Sequence, residues 1–177
     1  MQKKVIITGG PSTGKSTIIK ALQDKGYSCQ EEISRELVLE ARKEGIEQIF
    51  LTSPILFSEK LLEKRTEQYY EACKLDEKVV FFDRGILDIL AYLDFAKTPH
   101  NFEFEKVMNG LKIDQVFITP PWQEIHKTDN ERYESYEEAQ EIHKHLMNSY
   151  KKFGFEPVEI PIGTVEDRVA FILEHSK

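Results

Sequence analysis

The 177 residues predict a three-layer α/β fold built on a parallel sheet. Two observations point to it. Short apolar runs rich in β-branched and aromatic residues recur along the chain, and a stretch of helical periodicity separates each from the next. Strands joined in this way pair in parallel through right-handed crossovers, which places helices on both faces of the sheet. A chain of this length fits one compact domain, 1–177, and buries roughly two-thirds of the surface its unfolded form exposes.

Lys3-Lys4-Val5-Ile6-Ile7-Thr8 is the first such run, and it ends in glycines, as a strand buried on both faces does. A helix begins inside the glycine-rich segment and runs to about Lys25, with Ile18, Ile19 and Leu22 at helical spacing and Gly26 as the stop. Tyr27 to Glu31 reads as a short second strand. From Glu32 to Lys43, Ile33, Leu37, Val38 and Ala41 mark one helical face. A longer helix spans Pro54 to Leu75, with Ser53 as its N-cap and Pro54 at its first position. Lys78 to Asp83 is the clearest strand, apolar until it meets Asp83. Ile86 to Phe95 and Phe102 to Asn109 read as helices, Gln115 to Thr119 as a fourth strand closed by Pro120-Pro121. The polar segment from Trp122 to Tyr133 lacks periodicity and reads as a loop. Ser135 opens a helix to about Phe153, Pro157 to Pro161 gives a fifth strand, and Val165 to Glu174 a last helix.

Composition narrows the function classes. Hydrophobic residues at 40 % and charged residues at 31 % are globular proportions, and seven Tyr with eleven Phe argue against disorder. The apolar stretch after the basic opening is only Val5-Ile6-Ile7, too short for a signal-peptide core, and no run approaches a membrane span. Cys29 and Cys73 form no CxxC pair, which points to reduced thiols and a cytoplasmic protein. A formal charge of −7 opposes nucleic acid as a partner, so any phosphate recognition must be local. His100, His126, His143, His145 and His175 lack zinc-ligand spacing. The oligomeric state leaves no sequence signature.

Gly9-Gly10-Pro11-Ser12-Thr13-Gly14-Lys15-Ser16 matches G-x-x-x-x-G-K-[ST] and lies between a buried strand and an amphipathic helix, the context a P-loop requires. Its glycines let the backbone wrap around phosphates, and successive N–H groups with the helix N-terminus form an anion cradle. Lys15 then reaches the β- and γ-phosphates, the Ser16 hydroxyl ligates Mg²⁺, and Thr17 follows on the same first turn. The ligands implied are a nucleoside triphosphate, ATP with GTP also compatible, and Mg²⁺.

A P-loop protein needs a carboxylate near the metal, usually at the tip of a neighbouring strand, and Asp83 is placed to be that group. Spacing leaves open whether Asp83 holds Mg²⁺, accepts the proton of a substrate hydroxyl, or caps the following helix. Arg84 follows on the same rim, where a guanidinium can clamp a phosphate or carboxylate. Glu31 and Glu32 stand at the end of the second strand with Arg35 a turn beyond, and strand ends in an open α/β sheet face the ligand crevice. Glu32 and Arg35 are therefore candidates to touch an acceptor, and Glu32 rivals Asp83 as general base. The segment of approximately 122–134 is placed as a lid, with Arg132 and Lys127 as the cations it would bring in on closing.

With these residues assembled, the chain resembles the NadR-like P-loop family of ATPases or kinases linked to NAD metabolism and related to ribosylnicotinamide and deoxynucleoside kinases. The resemblance rests on Ile7 to Ser16, Glu31-Glu32-Ile33-Ser34-Arg35, Phe82-Asp83-Arg84-Gly85 with Leu87-Asp88, and Thr128 to Tyr133. It implies a P-loop NTPase fold with a five-stranded parallel sheet in the order 2-3-1-4-5 and a small lid. It also implies adenine near the loop after strand five, lined by Gly163 and Thr164, and Mg²⁺-dependent phosphoryl transfer to a small molecule. Lys15, Asp83, Arg84, Glu32, Arg35 and Arg132, read from their own placement, are the catalytic candidates.

A second class of function is a slow nucleotide-dependent switch acting on a protein or lipid partner. A GTPase form of it calls for N-K-x-D, and the chain offers only His126-Lys127-Thr128-Asp129, after the fourth strand. It also calls for D-x-x-G, and Asp83-Arg84 is followed at once by Gly85.

Overall fold

The computed structural model describes residues 1–47, 49–127 and 134–176. Five parallel strands form one sheet in the order β2-β3-β1-β4-β5. They are β1 (Lys3–Gly9), β2 (Ser28–Gln30), β3 (Val79–Asp83), β4 (Gln115–Thr119) and β5 (Val158–Glu159). Between them run α1 (Lys15–Asp24), α2 (Ser34–Lys43), α3 (Ile49–Thr52), α4 (Pro54–Cys73), α5 (Ile86–Phe95), α6 (Phe104–Met108) and α7 (Tyr136–Lys152), and α8 (Val165–His175) closes the chain. The sheet order is the one the family resemblance implies.

The three layers follow from the two-residue period of a strand. On β1, Val5 and Ile7 point to one face, where Ile18 and Leu22 of α1 and Val169 and Ile172 of α8 cover them. Ile6 points to the other, among Tyr69 of α4, Leu87 and Leu90 of α5 and Tyr150 of α7. Central strands buried on both sides must be apolar at every position, which is why β1, β3 and β4 read as continuous runs rather than alternations.

The departures from sequence expectation sit at element ends. The second strand is shorter than 27–31, and the next helix starts at Ser34, not Glu32. Glu32 is left in the turn between them, where its carboxylate accepts the Ser34 backbone N–H at 3.1 Å. The short α3 was not anticipated, because four residues carry no readable period. Ser53 stands at the N-cap of α4 without a side-chain capping bond. Ser135 does cap α7: its hydroxyl accepts from the Glu138 N–H while Glu138 accepts from the Ser135 N–H, a reciprocal capping box. After β4, Gln123–Ile125 forms one turn of 3₁₀ helix. Residues 128–133 of the expected lid, Arg132 among them, lie outside the described residues. No helix among the described residues is long and apolar enough to cross a membrane.

Candidate functional site

The glycine-rich turn leaves β1 in a conformation few residues tolerate. Gly9 has φ 146°, Ser12 54° and Gly14 81°. A Cβ on Gly9 would collide with the Thr119 side chain of the adjacent β4, so only glycine lets the two strand ends approach this closely. The loop is tied from within: Thr119 Oγ1 donates to Thr13 Oγ1 at 2.6 Å, and Thr13 Oγ1 donates to the Gly10 carbonyl at 3.0 Å. Lys15, the first residue of α1, donates from Nζ to the Gly10 carbonyl at 2.7 Å. Ser16 and Thr17 occupy the following exposed positions of that first turn.

Sheet order supplies the neighbours. β3 lies between β2 and β1, so the chain after β2, the tip of β3 and the P-loop stand side by side along one rim. Asp83 pairs in register with Ile7 and is buried, with Oδ1 lacking any hydrogen-bond partner. It does not cap α5; Gly85 holds the N-cap position, and Asp88 Oδ2 accepts the Gly85 N–H at 3.0 Å. That removes the capping alternative for Asp83. Arg84 turns sharply, with φ 72°, and its Nη1 donates to the Gly9 carbonyl at 3.1 Å. Its Nε is ion-paired with Glu32 Oε2 and its Nη1 with Asp88 Oδ1.

Glu32 is held from a second side by Arg65 of α4, whose Nη2 lies 3.1 Å from Oε1 and whose Nη1 donates to the Gly85 carbonyl at 2.8 Å. Asp88 takes four donors: the Thr8 hydroxyl at 2.6 Å, the Tyr150 hydroxyl at 2.6 Å, the Gly85 N–H and the Arg84 guanidinium. Neither Arg65 nor Asp88 was a sequence candidate. Both interrupt an apolar helical face: Arg65 falls between Leu61 and Tyr69 at four-residue spacing, and Asp88 amid Ile86, Leu87, Ile89 and Leu90. A charge at a core position is the sequence signal that finds them.

The electrostatics follow from this crowding. Burial would raise the Glu32 carboxyl, but Arg65, Arg84 and the Ser34 N–H outweigh it and hold the group at about 2. Asp83 goes the other way: burial, opposed by Lys15, pushes its carboxyl above the usual range. Lys15 is lowered to about 7, first by burial and then by Arg84, with the three carboxylates opposing. Burial pushes the Cys29 thiol up to about 12, which leaves it un-ionised and unreactive at neutral pH.

The outer side of the P-loop is packed by residues from the far end of the chain. Arg168 of α8 donates to the Thr13 carbonyl at 3.0 Å, and the Ser12 hydroxyl donates to the Lys127 carbonyl at 2.7 Å. The Lys127 side chain itself is exposed, as are those of Arg35 and Glu31, and Glu31 Oε1 accepts from Gln23 at 2.8 Å. Thr164 caps α8, accepting the Asp167 N–H at 3.1 Å, with Gly163 just before it. The structure thus brings Lys15, Asp83, Arg84 and Glu32 together and leaves Arg35 at the surface. No cluster of three His, Cys, Asp or Glu suited to a metal occurs among the described residues. The donors for Mg²⁺ at a P-loop are one hydroxyl, phosphate oxygens and water held by a carboxylate, and the exposed Ser16 with the unpartnered Asp83 Oδ1 fits that set.

No curated protein matches the sequence. Among solved structures, deoxyadenosine kinase from M. mycoides, determined with the products dCMP and dCDP, is similar with a TM-score of 0.70 at 17 % identity, covering 97 % of each chain. NadR protein in complex with NR gives 0.72 at 19 % identity over 99 % of this chain and 50 % of that one, so the present chain spans half its length. Thymidylate kinase from Candida albicans gives 0.68 at 17 % identity over 98 % and 90 %. At such identities the likeness is one of fold, a P-loop kinase fold in each case. The sequence itself matches the AAA domain model over residues 4–168. That match spans nearly the whole chain, and the protein belongs to the AAA domain family.

Proposed function

We propose that this protein is a Mg²⁺-dependent phosphotransferase that moves the γ-phosphoryl group of ATP to a hydroxyl of a small molecule, of the nucleoside or ribosylnicotinamide type. One observation carries the reading. The adjacency of β2, β3 and β1 sets Glu32, Asp83-Arg84 and the P-loop along one rim, so acceptor-side charges face a phosphate cradle.

The P-loop N–H groups and Lys15 bind the phosphates, and the lysine neutralises charge that grows on the transferred group. Ser16 and Asp83 would hold Mg²⁺, which would supply positive charge to offset that of the phosphates. Arg84, locked by the Gly9 carbonyl and by Glu32, presents its guanidinium at the boundary between donor and acceptor. Glu32 stays ionised at neutral pH and accepts a hydrogen bond from the acceptor hydroxyl, fixing its line of attack. A carboxylate held at about 2 is a weak base, but phosphoryl transfer through a loose transition state depends mainly on positioning and charge stabilisation. Arg132 is proposed, on the family resemblance, to add charge when the lid closes.

Nucleosides, ribosylnicotinamide and other hydroxyl metabolites incubated with MgATP should yield a phosphorylated product detectable by mass spectrometry, absent with Lys15→Ala. Asp83→Asn should lower turnover about 100-fold or more while changing ATP affinity several-fold at most, because phosphate binding is mainly the work of the loop. Equal losses in both would make Asp83 a structural residue.

A further inference from the structure

Two side chains on the outer side of the P-loop take no part in this chemistry. Arg168 is 3 % exposed, yet among the described residues it has no carboxylate partner. Its hydrogen bond goes to the Thr13 carbonyl, and its Nε is buried without a partner. Buried cations are normally paired, because desolvation is costly. This guanidinium instead lies over the indole of Trp122, 5.7 Å from the ring centroid. Burial alone lowers its pKa, with no anion to offset it.

Trp122 follows the two prolines that close β4 and remains partly exposed. Its Nε1–H donates to Glu124 Oε2 at 2.6 Å, which fixes the rotation of the ring. Arg168 also abuts the loop: its Nη1 lies 2.7 Å from the point a Cβ on Gly14 would occupy, and Ile125 Cδ1 lies 3.6 Å from the same point. A flat aromatic group is therefore held by a buried cation and a hydrogen bond beside the loop that the motif assigns to phosphates. A nucleotide whose phosphates fill that loop has a flat base to place nearby, and aromatic rings stack every base through its π-face.

We infer that Trp122, backed by Arg168, is the stacking platform for the base of the donor nucleoside triphosphate. This rests on the nucleotide-binding part of the reading above and is independent of the acceptor. Arg168 keeps the indole in place and ties it to the P-loop through Thr13, so a base on the ring and phosphates in the loop are set in register.

Trp122 is the sole tryptophan of the chain, so its fluorescence reports on this ring alone. MgATP should change the emission saturably, whereas magnesium tripolyphosphate, which fills the loop without a base, should change it much less. Trp122→Ala should weaken ATP binding about tenfold by calorimetry and leave tripolyphosphate affinity unaltered, and Trp122→Phe should restore most of the loss. Equal fluorescence responses to the two ligands, or an unchanged ratio of their affinities in Trp122→Ala, would overturn the inference and leave phosphoryl transfer standing. No ATP binding to the unaltered protein would overturn both.

Discussion

Under the proposed function Lys15 is the residue on which ATP binding turns, and its environment gives it a pH signature. In the free protein burial and Arg84 hold it near 7, so above that pH it is increasingly neutral. Phosphate oxygens favour the ammonium, so the complex binds more protons than its components. ATP affinity should therefore fall as pH rises above about 7, by up to tenfold per unit, with proton uptake visible as a buffer-dependent binding enthalpy. A pH-independent affinity between 6.5 and 8.5 would show that Lys15 is already fully charged. Glu32 works in the opposite sense. Its folded value of about 2 lies below the ordinary 4.5, so its stabilisation is complete above 4.5 and is lost as pH falls towards 2. Glu32→Gln should cost about 3–5 kcal/mol at neutral pH, since Arg65 and Arg84 lose their shared carboxylate. It should also flatten acid unfolding over that window, as measured by urea titration at several pH values.

At this scale the sequence was legible where chemistry is local. The P-loop, Asp83 and Arg84 are contiguous motifs, and Glu32 stands at a strand end. Arg65, Asp88 and Arg168 are not legible in that way: the partners of Arg65 and Arg168 lie 20 to 155 residues away in the chain, and Asp88, besides its neighbours Arg84 and Gly85, takes hydroxyls from 62 and 80 residues away. What the sequence does carry is their position: each is a charge on the buried face of an apolar helix, a placement that demands a partner without naming it.

Among the elements, the strands were the readable part and the turns were not. A strand buried on both faces must be continuously apolar, and β1, β3 and β4 are nearly that. β2 and the start of α2 were misjudged because the Glu32 side chain bonds the Ser34 N–H, a local turn that delays the helix by two residues. The pairing of β1 with β4 is what the glycine at the start of the loop makes possible. Gly9→Ala forces a Cβ into Thr119 at a backbone angle that alanine avoids. It should destabilise the fold by about 2–4 kcal/mol in chemical denaturation, and weaken ATP binding in the fraction that folds. Gly45, also positive in φ at 86° but open to solvent, is the control: Gly45→Ala should cost about 1 kcal/mol and leave ATP binding unchanged.

The molecule as a whole carries a formal charge of −7. Lys15, Arg65, Arg84 and Arg168 are all buried or nearly so, at or beside the carboxyl ends of β1 and β3. Glu32, Asp83 and Asp88 stand among them, so the rim is a compact network of both signs and not a basic strip that an extended phosphate backbone would need. The sheet order β2-β3-β1-β4-β5 is what converts separate motifs into that rim, and no single segment of sequence contains it. The most direct test follows phosphate from MgATP labelled at the γ-position in the presence of a library of nucleosides and related hydroxyl metabolites. The label should move to an organic hydroxyl, and Lys15→Ala should reduce the transfer about 100-fold or more. Label appearing only as inorganic phosphate with every acceptor, at a rate no acceptor alters, would contradict phosphoryl transfer and leave a nucleotide hydrolase in its place.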